Sequence, residues 1–483
     1  MRHPLLRWAR RLALVALGAL AAVLAVRAWE AWHGPPLEPW HTFVPDELDA
    51  DAIAGLDWTG YLAAEAAILA EVEAEVTAKL EPAARVATNR YYAGSPLYPG
   101  RRAENWNRSQ VLEPDGTPRG AMVFLHGLTD APFSGRHLGR AYRDAGFVVV
   151  VPRLPGHGTV PAGLTGVAWP DWAAATRLAV EEARRRAGPG PPLHLIGYSN
   201  GGALAVAYAL DALDDATLAR PDRLVLLSPM IGITAFARFA GIAGWPAVFP
   251  AFARAAWLSV EPEFNPMKYN SFPVNGARQS FQLTRALQAR LERAARSGRL
   301  AELPPILTFQ SLVDFTVSPR SVITTLYDRL PANGSELVLV DLNRSAKLGP
   351  LLVDDAETIL ERVVPPPPRP YRLIVVANAA PGRAAMQARI TEPGSTEETV
   401  RPLGLAYPPE VYSLSHVALP FPVSDGLYGL EPDPADDLGV NLGAMALRGE
   451  RGALAVSLDG LMRMSSNPFF PYLLERVAAG MAR

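Results

Sequence analysis

From about residue 105 onward, short runs of apolar residues alternate with longer stretches of helical pattern. The runs are four or five residues long, rich in Val, Leu and Phe, and most of them contain no polar position. Runs of this kind are typical of strands buried on both faces of a parallel sheet, because helices cover both sides. Six such strands are predicted, at residues 121–125, 147–151, 193–197, 224–227, 306–309 and 337–340.

The stretches between these strands have apolar residues at helical spacing and predict crossover helices. Alternating strands and helices form βαβ units, which build a sheet with helices on both faces. The chain is therefore predicted to contain an α/β fold with a doubly wound, mostly parallel sheet. The predicted crossover helices cover residues 135–145, 169–187, 201–213 and 318–330.

Two stretches interrupt this alternation. Residues 231–302 hold aromatic and Ala-rich helical segments broken by five prolines, and are predicted to form a helical cap between two core strands. Residues 343–410 form a second insertion, whose role is not evident from the sequence, with a strand predicted at 373–377. The resulting division of the chain is 1–32, 33–104, 105–230, 231–302, 303–342, 343–410 and 411–483, the last ending in a helix.

The N-terminus has the composition of an export signal or a membrane anchor. Four arginines precede fifteen uncharged, mostly apolar residues at 12–26. This run is short for a hydrocarbon core of about 30 Å, which favours a cleaved signal peptide. Arg27 and the aromatic residues Trp29 and Trp32 suit a membrane interface, so a retained anchor is the preferred interpretation.

The N-terminal segment also predicts where the chain is located. Its arginine-rich flank would stay in the cytoplasm, and the folded body would lie outside, in a bacterial-type cell envelope at the inner membrane, or in the periplasm after cleavage. Residues 33–60 are rich in Pro, Trp and Asp without a steady period, and predict a tether. A helix is predicted over residues 61–80.

Charge and composition exclude several classes of function. The chain has 483 residues, a net charge of −2 and no cysteine. Balanced charge gives no field that would gather nucleic acid, so no such partner is expected. Without cysteine, disulfides, thiolate metal sites and a cysteine nucleophile are excluded. No metal and no organic cofactor is expected.

A strand, a sharp turn and a helix are predicted around Ser199. The turn has the sequence Gly-Tyr-Ser-Asn-Gly and joins the strand at 193–197 to the helix at 201–213. A serine on such a turn is held in a strained conformation, and Gly197 and Gly201 let neighbouring backbone approach closely. The helix directs its N-terminal amides at the same point. This context predicts that Ser199 is a nucleophile.

One histidine occupies a position suitable for a base. Histidine is the usual base for an activated serine because its ordinary pKa lies near working pH. In this type of fold the three catalytic residues follow in the order Ser, acid, His. Of the eight histidines, His416 is the only one after Ser199. His416 is therefore predicted as the base by elimination.

The acid that orients this histidine is expected at the end of a strand between the two. Asp314 fits best, because it follows the strand at 306–309 and precedes a helix. Asp341, at the end of the next strand, is the main alternative, while Asp354 and Asp355 are less favoured.

Two backbone amides are predicted to hold the negative oxygen of a tetrahedral intermediate. One is the N–H of Asn200, directly after the nucleophile. The other is the N–H of Leu128, in the loop Phe-Leu-His-Gly-Leu-Thr-Asp after an earlier strand, where Gly127 permits the turn. His126 in the same loop is predicted to be structural.

These residues together resemble the α/β-hydrolase superfamily, and more narrowly its branch of bacterial carboxylesterases, monoacylglycerol lipases and serine aminopeptidases. The motifs are the His-Gly-Leu-Thr loop, the segment 151–159 with its Gly-His-Gly, the serine turn and the Asp314 strand end. The resemblance covers roughly residues 120–230 and 303–342 plus the His416 loop. It implies an oxyanion amide at Leu128 and a structural role for His157. The long separation of Asp314 and His416 departs from the family pattern.

The residues and the resemblance predict a serine hydrolase that cleaves carboxylic esters through an acyl-enzyme. A hydrophobic cap beside a membrane segment indicates small-molecule or lipid-derived apolar esters as substrates, although ordinary core packing is an equal explanation for its aromatic residues. An acyltransferase, a serine peptidase and a non-catalytic envelope binding protein remain alternatives. The residues predicted to line an acyl pocket are Phe236, Phe239, Trp245, Phe249 and Trp257.

Overall fold

The computed structural model describes residues 3–102, 104–232, 250–345, 356–443, 461 and 463–481. Its main element is a ten-stranded sheet, and two further short strands form a separate pair. The strands are β1 (Gln110–Leu112), β2 (Gly120–Leu125), β3 (Phe147–Val151), β4 (Leu193–Tyr198), β5 (Arg223–Leu227), β6 (Trp257–Ser259), β7 (Phe272–Pro273), β8 (Ile306–Ser311), β9 (Glu336–Val340), β10 (Arg372–Asn378), β11 (Ala385–Thr391) and β12 (Glu398–Ala406).

The order of strands in the main sheet is β1-β3-β2-β4-β5-β8-β9-β10-β11-β12. The pairs from β3 through β10 are all parallel, whereas β1 at one edge and β11 and β12 at the other are antiparallel. Successive side chains of a strand point to opposite faces. Along β2, Val123 and Leu125 lie in one buried cluster, and Met122 and Phe124 lie in the other. The predicted doubly wound, mostly parallel sheet is confirmed.

Helices cover both faces of this sheet. They are α1 (His3–His33), α2 (Pro39–Thr42), α3 (Ala50–Ala54), α4 (Trp58–Val72), α5 (Arg136–Asp144), α6 (Gly163–Gly166), α7 (Trp169–Ala187), α8 (Asn200–Asp214), α9 (Val274–Arg296), α10 (Pro319–Thr325), α11 (Ala356–Val363) and α12 (Phe470–Met481). The buried cluster that contains Val123 receives side chains of α7, α8, α9 and α10, and the cluster that contains Met122 receives those of α5 and α12.

The predicted cap is smaller than the segment 231–302. Its second half is α9, which buries Leu283, Leu287 and Leu291 against the sheet and leads into β8. This helix is a crossover of the core. Residues 250–273 carry the short pair β6 and β7, and residues 233–249 lie outside the described part of the chain.

The second predicted insertion extends the main sheet. The strand predicted at 373–377 is confirmed as β10, which pairs in parallel with β9, with Leu373 opposite Leu337. Beyond it, β11 and β12 add two antiparallel strands. The predicted end of the core at residue 342 is therefore wrong. Because β12 is largely exposed, its sequence lacks the continuous apolar run by which the central strands were predicted.

The segment predicted as a tether is packed against the core. Trp40, Ile53 and Trp58 are buried, and the helix predicted at 61–80 begins at Trp58 as α4 and continues as a π-helical turn at Glu73–Thr77. Arg153, a buried arginine of the core, also forms ion pairs with this segment, with N–O distances of 2.9 Å to Glu47 and 3.5 Å to Glu65. From about residue 38 onward the segment is part of the fold.

The N-terminal residues form the helix α1. Among the described residues, no helix is both long and apolar enough to cross a membrane. The prediction of a retained transmembrane anchor is thus not supported. The uncharged run at 12–26 would span only about 22 Å, against a hydrocarbon core of about 30 Å. The location of the protein in the cell stays a prediction.

Candidate active site

Ser199 lies at the turn between β4 and α8. Its φ of 54° belongs to a backbone conformation that residues other than glycine rarely adopt. Its N–H donates to the carbonyl of Leu227 at 2.9 Å, which fixes the turn to the neighbouring strand. A Cβ atom at Gly201 would overlap the carbonyl group of Leu125, and one at Gly197 would overlap the backbone of Gly201. Both glycines are therefore required for the strained serine turn.

Asp314 follows β8 and accepts hydrogen bonds at both carboxylate oxygens. Oδ1 accepts the N–H groups of Thr316 at 2.8 Å and Val317 at 2.9 Å. Oδ2 lies 2.9 Å from Nδ1 of His416. Burial by itself raises the pKa of Asp314, but the His416 ring and the amide of Val317 outweigh it and hold the pKa below the ordinary 3.8. The carboxylate is thus kept as an anion facing the imidazole.

His416 begins a short 3-10 turn and is buried. With Nδ1 directed at Asp314, Nε2 is the ring nitrogen left for another partner, and the ring lies beside Tyr198 with centroids 5.5 Å apart. His416 and Ser199 line the same cavity. The structure therefore brings together the three residues predicted as a catalytic set.

The alternative acids do not contact this histidine in the part of the chain that the structure describes. Asp341 is buried and binds Arg344 instead, with 3.0 Å between Oδ2 and Nη2. Asp354 and Asp355 lie outside the described residues.

Gln310 is a residue of this site that the sequence prediction missed. Its side chain is fully buried in β8 and donates from Nε2 to Oδ2 of Asp314 at 2.9 Å. The same oxygen faces His416, so Gln310 and the imidazole share one acceptor. A signal was present, since Thr308, Gln310 and Ser311 are polar residues within the fully buried strand β8.

The two predicted oxyanion residues belong to two elements at this site, the loop after β2 and the start of α8. Leu128 lines the cavity that contains Ser199. Asn200 is the first residue of α8, and the first N–H groups of a helix have no acceptor within it. The positive end of the helix dipole adds to their attraction for an anion.

The histidines near these loops hold backbone in place. Nε2 of His126 accepts the N–H of Leu154 at 3.1 Å, so Nδ1 carries the proton and donates to the carbonyl of Gly127 at 2.9 Å. Burial lowers the pKa of His126 and, more strongly, that of His157. Both rings are thus neutral and buried, and the contacts of His126 tie the Leu128 loop to the loop after β3.

Ser199 and His416 open onto a cavity of about 590 Å³. The prediction that Trp257 lines the pocket is wrong. Its ring packs edge-on against the ring of His41, with centroids 5.0 Å apart, in a different buried cluster. Phe236, Phe239, Trp245 and Phe249 lie outside the described residues. The apolar residues that do line the cavity are Leu128, Met230, Phe264, Phe272, Val417, Phe421 and Met464.

Comparison with known proteins finds a matching family model and a curated relative. Residues 116–342 match the model of the family described as serine aminopeptidase, S33. The chain is 27% identical over 199 residues to a thermostable monoacylglycerol lipase of Bacillus sp. (strain H-257), a match that covers 41% of this chain and 72% of that enzyme. The chain is similar to α/β-hydrolases of the esterase and lipase branch. The predicted resemblance is confirmed.

Solved structures similar to this chain include lipolytic proteins. A structure reported for LipS and LipT, two metagenome-derived lipolytic enzymes, is 22% identical, with a TM-score of 0.40, and the match covers 50% of this chain and 90% of that one. The monoacylglycerol lipase of Paleococcus ferrophilus is 18% identical, with a TM-score of 0.35, and the match covers 48% and 87% of the two chains.

The described part of the chain also has a cluster with the donor atoms of a metal site, formed by His137, Asp425 and Asp436. Arg136 lies within it, with Nη2 at 2.7 Å from Asp425 and Nη1 at 2.8 Å from Asp436. The guanidinium supplies the positive charge that a metal ion would bring, and it occupies the carboxylate oxygens. The cluster is a buried ion-pair network that joins α5 to residues 425–436.

Proposed function

We propose that this α/β-hydrolase cleaves carboxylic esters through Ser199, His416 and Asp314. The observation that carries the proposal is the 2.9 Å contact between His416 and Asp314 beside a cavity that also contains Ser199 on its strained turn. A nucleophile, a base and an orienting anion in this arrangement are the elements of acyl transfer to serine.

In the proposed reaction, Nε2 of His416 takes the proton from Oγ of Ser199 as that oxygen attacks the acyl carbonyl. The N–H groups of Leu128 and Asn200 stabilise the negative oxygen of the tetrahedral intermediate. His416 then gives the proton to the departing alcohol, which leaves an acyl-enzyme. Water, deprotonated by His416, attacks this ester and releases the acid and free Ser199. Asp314 orients His416 and stabilises its protonated form.

The lining of the cavity supports an apolar acyl group as the part of the substrate next to Ser199. Phe264, Phe272 and Phe421 contribute aromatic surface, and Met230 and Met464 add flexible side chains that adapt to an acyl chain. The name of the Bacillus relative, a monoacylglycerol lipase, supports a lipid-derived ester.

The peptidase alternative is less well supported. An aminopeptidase has to hold a substrate ammonium group near its nucleophile. Among the described residues, the cavity lining includes two cationic side chains, Lys268 and Arg463, and two carboxylates, Asp130 and Glu261. These charges balance, so the described lining gives no net field that would attract an ammonium group, and an ester without a free amine fits at least as well.

A fluorophosphonate probe tests the proposal directly, because it reacts with a serine only when that serine is activated. We expect the purified protein to be labelled, and peptide mapping to find the adduct on Ser199. His416→Ala protein, with folding checked by circular dichroism, should label far more slowly because it lacks the base. Absence of label on folded wild-type protein, or an adduct on another serine, would refute the proposed nucleophile.

Gln310→Glu should change the pH dependence of ester hydrolysis. A glutamate would place a second carboxylate beside Asp314 and favour the protonated imidazole, so His416 would act as a base only at higher pH. We expect the acidic limb of kcat/KM to move upward by at least about half a pH unit. Gln310→Leu removes the donor without adding charge and should move the limb less. If both variants lowered kcat/KM without moving the limb, Gln310 would be a packing residue only.

A further inference from the structure

One lysine, Lys268, lies on the cavity that contains Ser199. It belongs to residues 260–271, which connect β6 to β7, and this connection also brings Phe264 and Asn270 to the cavity. Lys268 is half-buried, and nothing in the proposed acyl transfer uses it. The position of Lys268 therefore indicates a role in binding the substrate.

The backbone of this connection is fixed from beneath by buried charges. Arg90 donates from Nη1 to the carbonyls of Asn265 at 3.0 Å and Lys268 at 3.2 Å. Glu263 accepts the N–H groups of Asn270 at 3.1 Å and Ser271 at 2.8 Å. These contacts hold the Cα of Lys268 in a defined place over the cavity, as a binding residue requires.

A contact from the N-terminal segment adds to this support. Nδ1 of His41 accepts the N–H of Glu38 at 3.1 Å, so Nε2 carries the proton and donates to Oγ of Ser271 at 2.9 Å. Burial and the nearby Arg254 lower the pKa of His41 to about 4, which keeps the ring neutral. The connection is therefore anchored on both sides, by Arg90 of one segment and His41 of another.

Within the described residues Lys268 forms no ion pair, although the carboxylates of Asp130 and Glu261 line the same cavity. Burial lowers its pKa, Asp130 acts against this from a distance, and Arg463 adds to it. Arg463 reaches the same cavity from the C-terminal region, where Nη2 donates to Oγ1 of Thr316 at 2.8 Å. Asp130 belongs to the Leu128 loop, where its Oδ2 accepts the N–H of Gly127 at 3.4 Å.

We propose that Lys268 and Arg463 together bind an anionic group of the substrate, a carboxylate or a phosphate. Two like charges that face one partly desolvated cavity repel each other, and an anion between them removes the repulsion and receives charge-assisted hydrogen bonds. The substrate class is then an ester that has an apolar acyl part beside Ser199 and an acidic group within reach of Lys268. This assignment rests on the proposed ester hydrolysis and narrows its substrate.

The test compares matched charged and neutral esters, with the acid on either side of the ester bond. The acyl arm uses p-nitrophenyl hemiglutarate against p-nitrophenyl pentanoate. The alcohol arm uses the butyrate ester of glycerol 3-phosphate against glycerol monobutyrate. The kcat/KM for each of the four esters is measured with wild-type protein and with the Lys268→Met and Lys268→Arg variants. Lys79→Met serves as a matched control, because Lys79 is exposed and pairs with Glu75 away from the cavity.

We expect Lys268→Met to lower kcat/KM for the anionic ester of at least one arm by about tenfold or more, and to change its neutral partner by less than about twofold. Lys268→Arg should restore most of the activity on the anionic ester, and Lys79→Met should match wild type. The arm that responds shows whether the acid belongs to the acyl group or to the alcohol.

Equal effects of Lys268→Met on charged and neutral esters in both arms would overturn the anion site. So would wild-type protein that cleaves the neutral esters and leaves both anionic esters intact. These outcomes differ from a failure of the proposed function itself, in which folded wild-type protein would cleave none of the four esters and would not react with the fluorophosphonate.

Discussion

Ser199→Ala protein should lose ester hydrolysis almost completely, with kcat/KM for p-nitrophenyl butyrate lower by at least about a thousandfold. The variant keeps the turn but has no oxygen that could attack, so His416 and Asp314 have nothing to activate. The oxyanion amides remain and can still favour attack by water, which sets the small residual rate. Initial rates over a range of ester concentrations measure the effect.

Ser297→Ala is the matched control for this loss. Ser297 follows α9, is exposed, and its hydroxyl contacts only the carbonyls of Arg293 and Ala294 within the described residues. Its replacement should leave kcat/KM within about twofold of wild type, as expected for a surface substitution. If Ser199→Ala protein kept more than a few per cent of wild-type activity after a second purification, another residue would have to be the nucleophile.

The sequence was sufficient to predict the parts of this site that local pattern determines. The serine turn is encoded by adjacent residues, since a buried strand, two glycines and a helix leave one conformation for Ser199. His416 followed from elimination, because no other histidine comes after the nucleophile. Asp314 followed from its position at a strand end. Each prediction depended on chain order or on neighbouring residues.

The pocket could not be predicted in this way. Its walls come from segments far apart in the sequence, such as Leu128, Phe272 and Phe421, which meet only after the sheet has formed. Trp257 was predicted because it is aromatic and lies within the cap segment, yet it is buried against residues of the N-terminal segment. Aromatic residues serve core packing and ligand contact equally well, and the sequence pattern does not distinguish these uses.

The buried ion pairs were missed for a related reason. Arginine and aspartate in a sequence are expected at the surface, and only the fold shows that a pair is buried. Arg153 binds Glu47, 106 positions before it, and Arg136 binds Asp425, 289 positions after it. Such networks connect the N-terminal and C-terminal segments to the core, so they decide how much of the chain folds as one unit.

Arg136→Met should cause the largest loss of stability among the substitutions considered. The side chains of Arg136 and Asp425 are almost fully buried, 2.7 Å apart, and the guanidinium also lies 4.2 Å above the ring of Phe133. Removing one partner of a buried ion pair costs about 3–5 kcal/mol, since Asp425 would keep hydrogen bonds from His137 and two backbone N–H groups but no balancing charge. That is a large part of the roughly 5–15 kcal/mol by which a domain is stable. Chemical denaturation measures the change.

Arg143→Met provides the control on the same helix, because Arg143 is partly exposed and, within the described residues, pairs with its neighbour Asp144. Its replacement should change the free energy of unfolding by less than about 0.5 kcal/mol. The double variant Arg136→Met with Asp425→Asn should recover part of the loss, since it leaves no buried charge unpaired. Strictly additive losses in the double variant would show that the two side chains are not coupled.

The acid dependence of stability gives an independent measure of the same pair. Burial raises the pKa of Asp425, but the hydrogen bond from His137 and the charge of Arg136 outweigh it and lower the pKa to about 2. A pKa depressed in the folded state contributes stability that is complete above the unfolded value of about 4 and is lost as the pH falls toward 2. Wild-type protein should therefore lose stability over this interval, and Arg136→Met protein should lose less because Asp425 titrates nearer its ordinary value. An identical pH dependence in both proteins would mean that Arg136 does not hold Asp425 ionised.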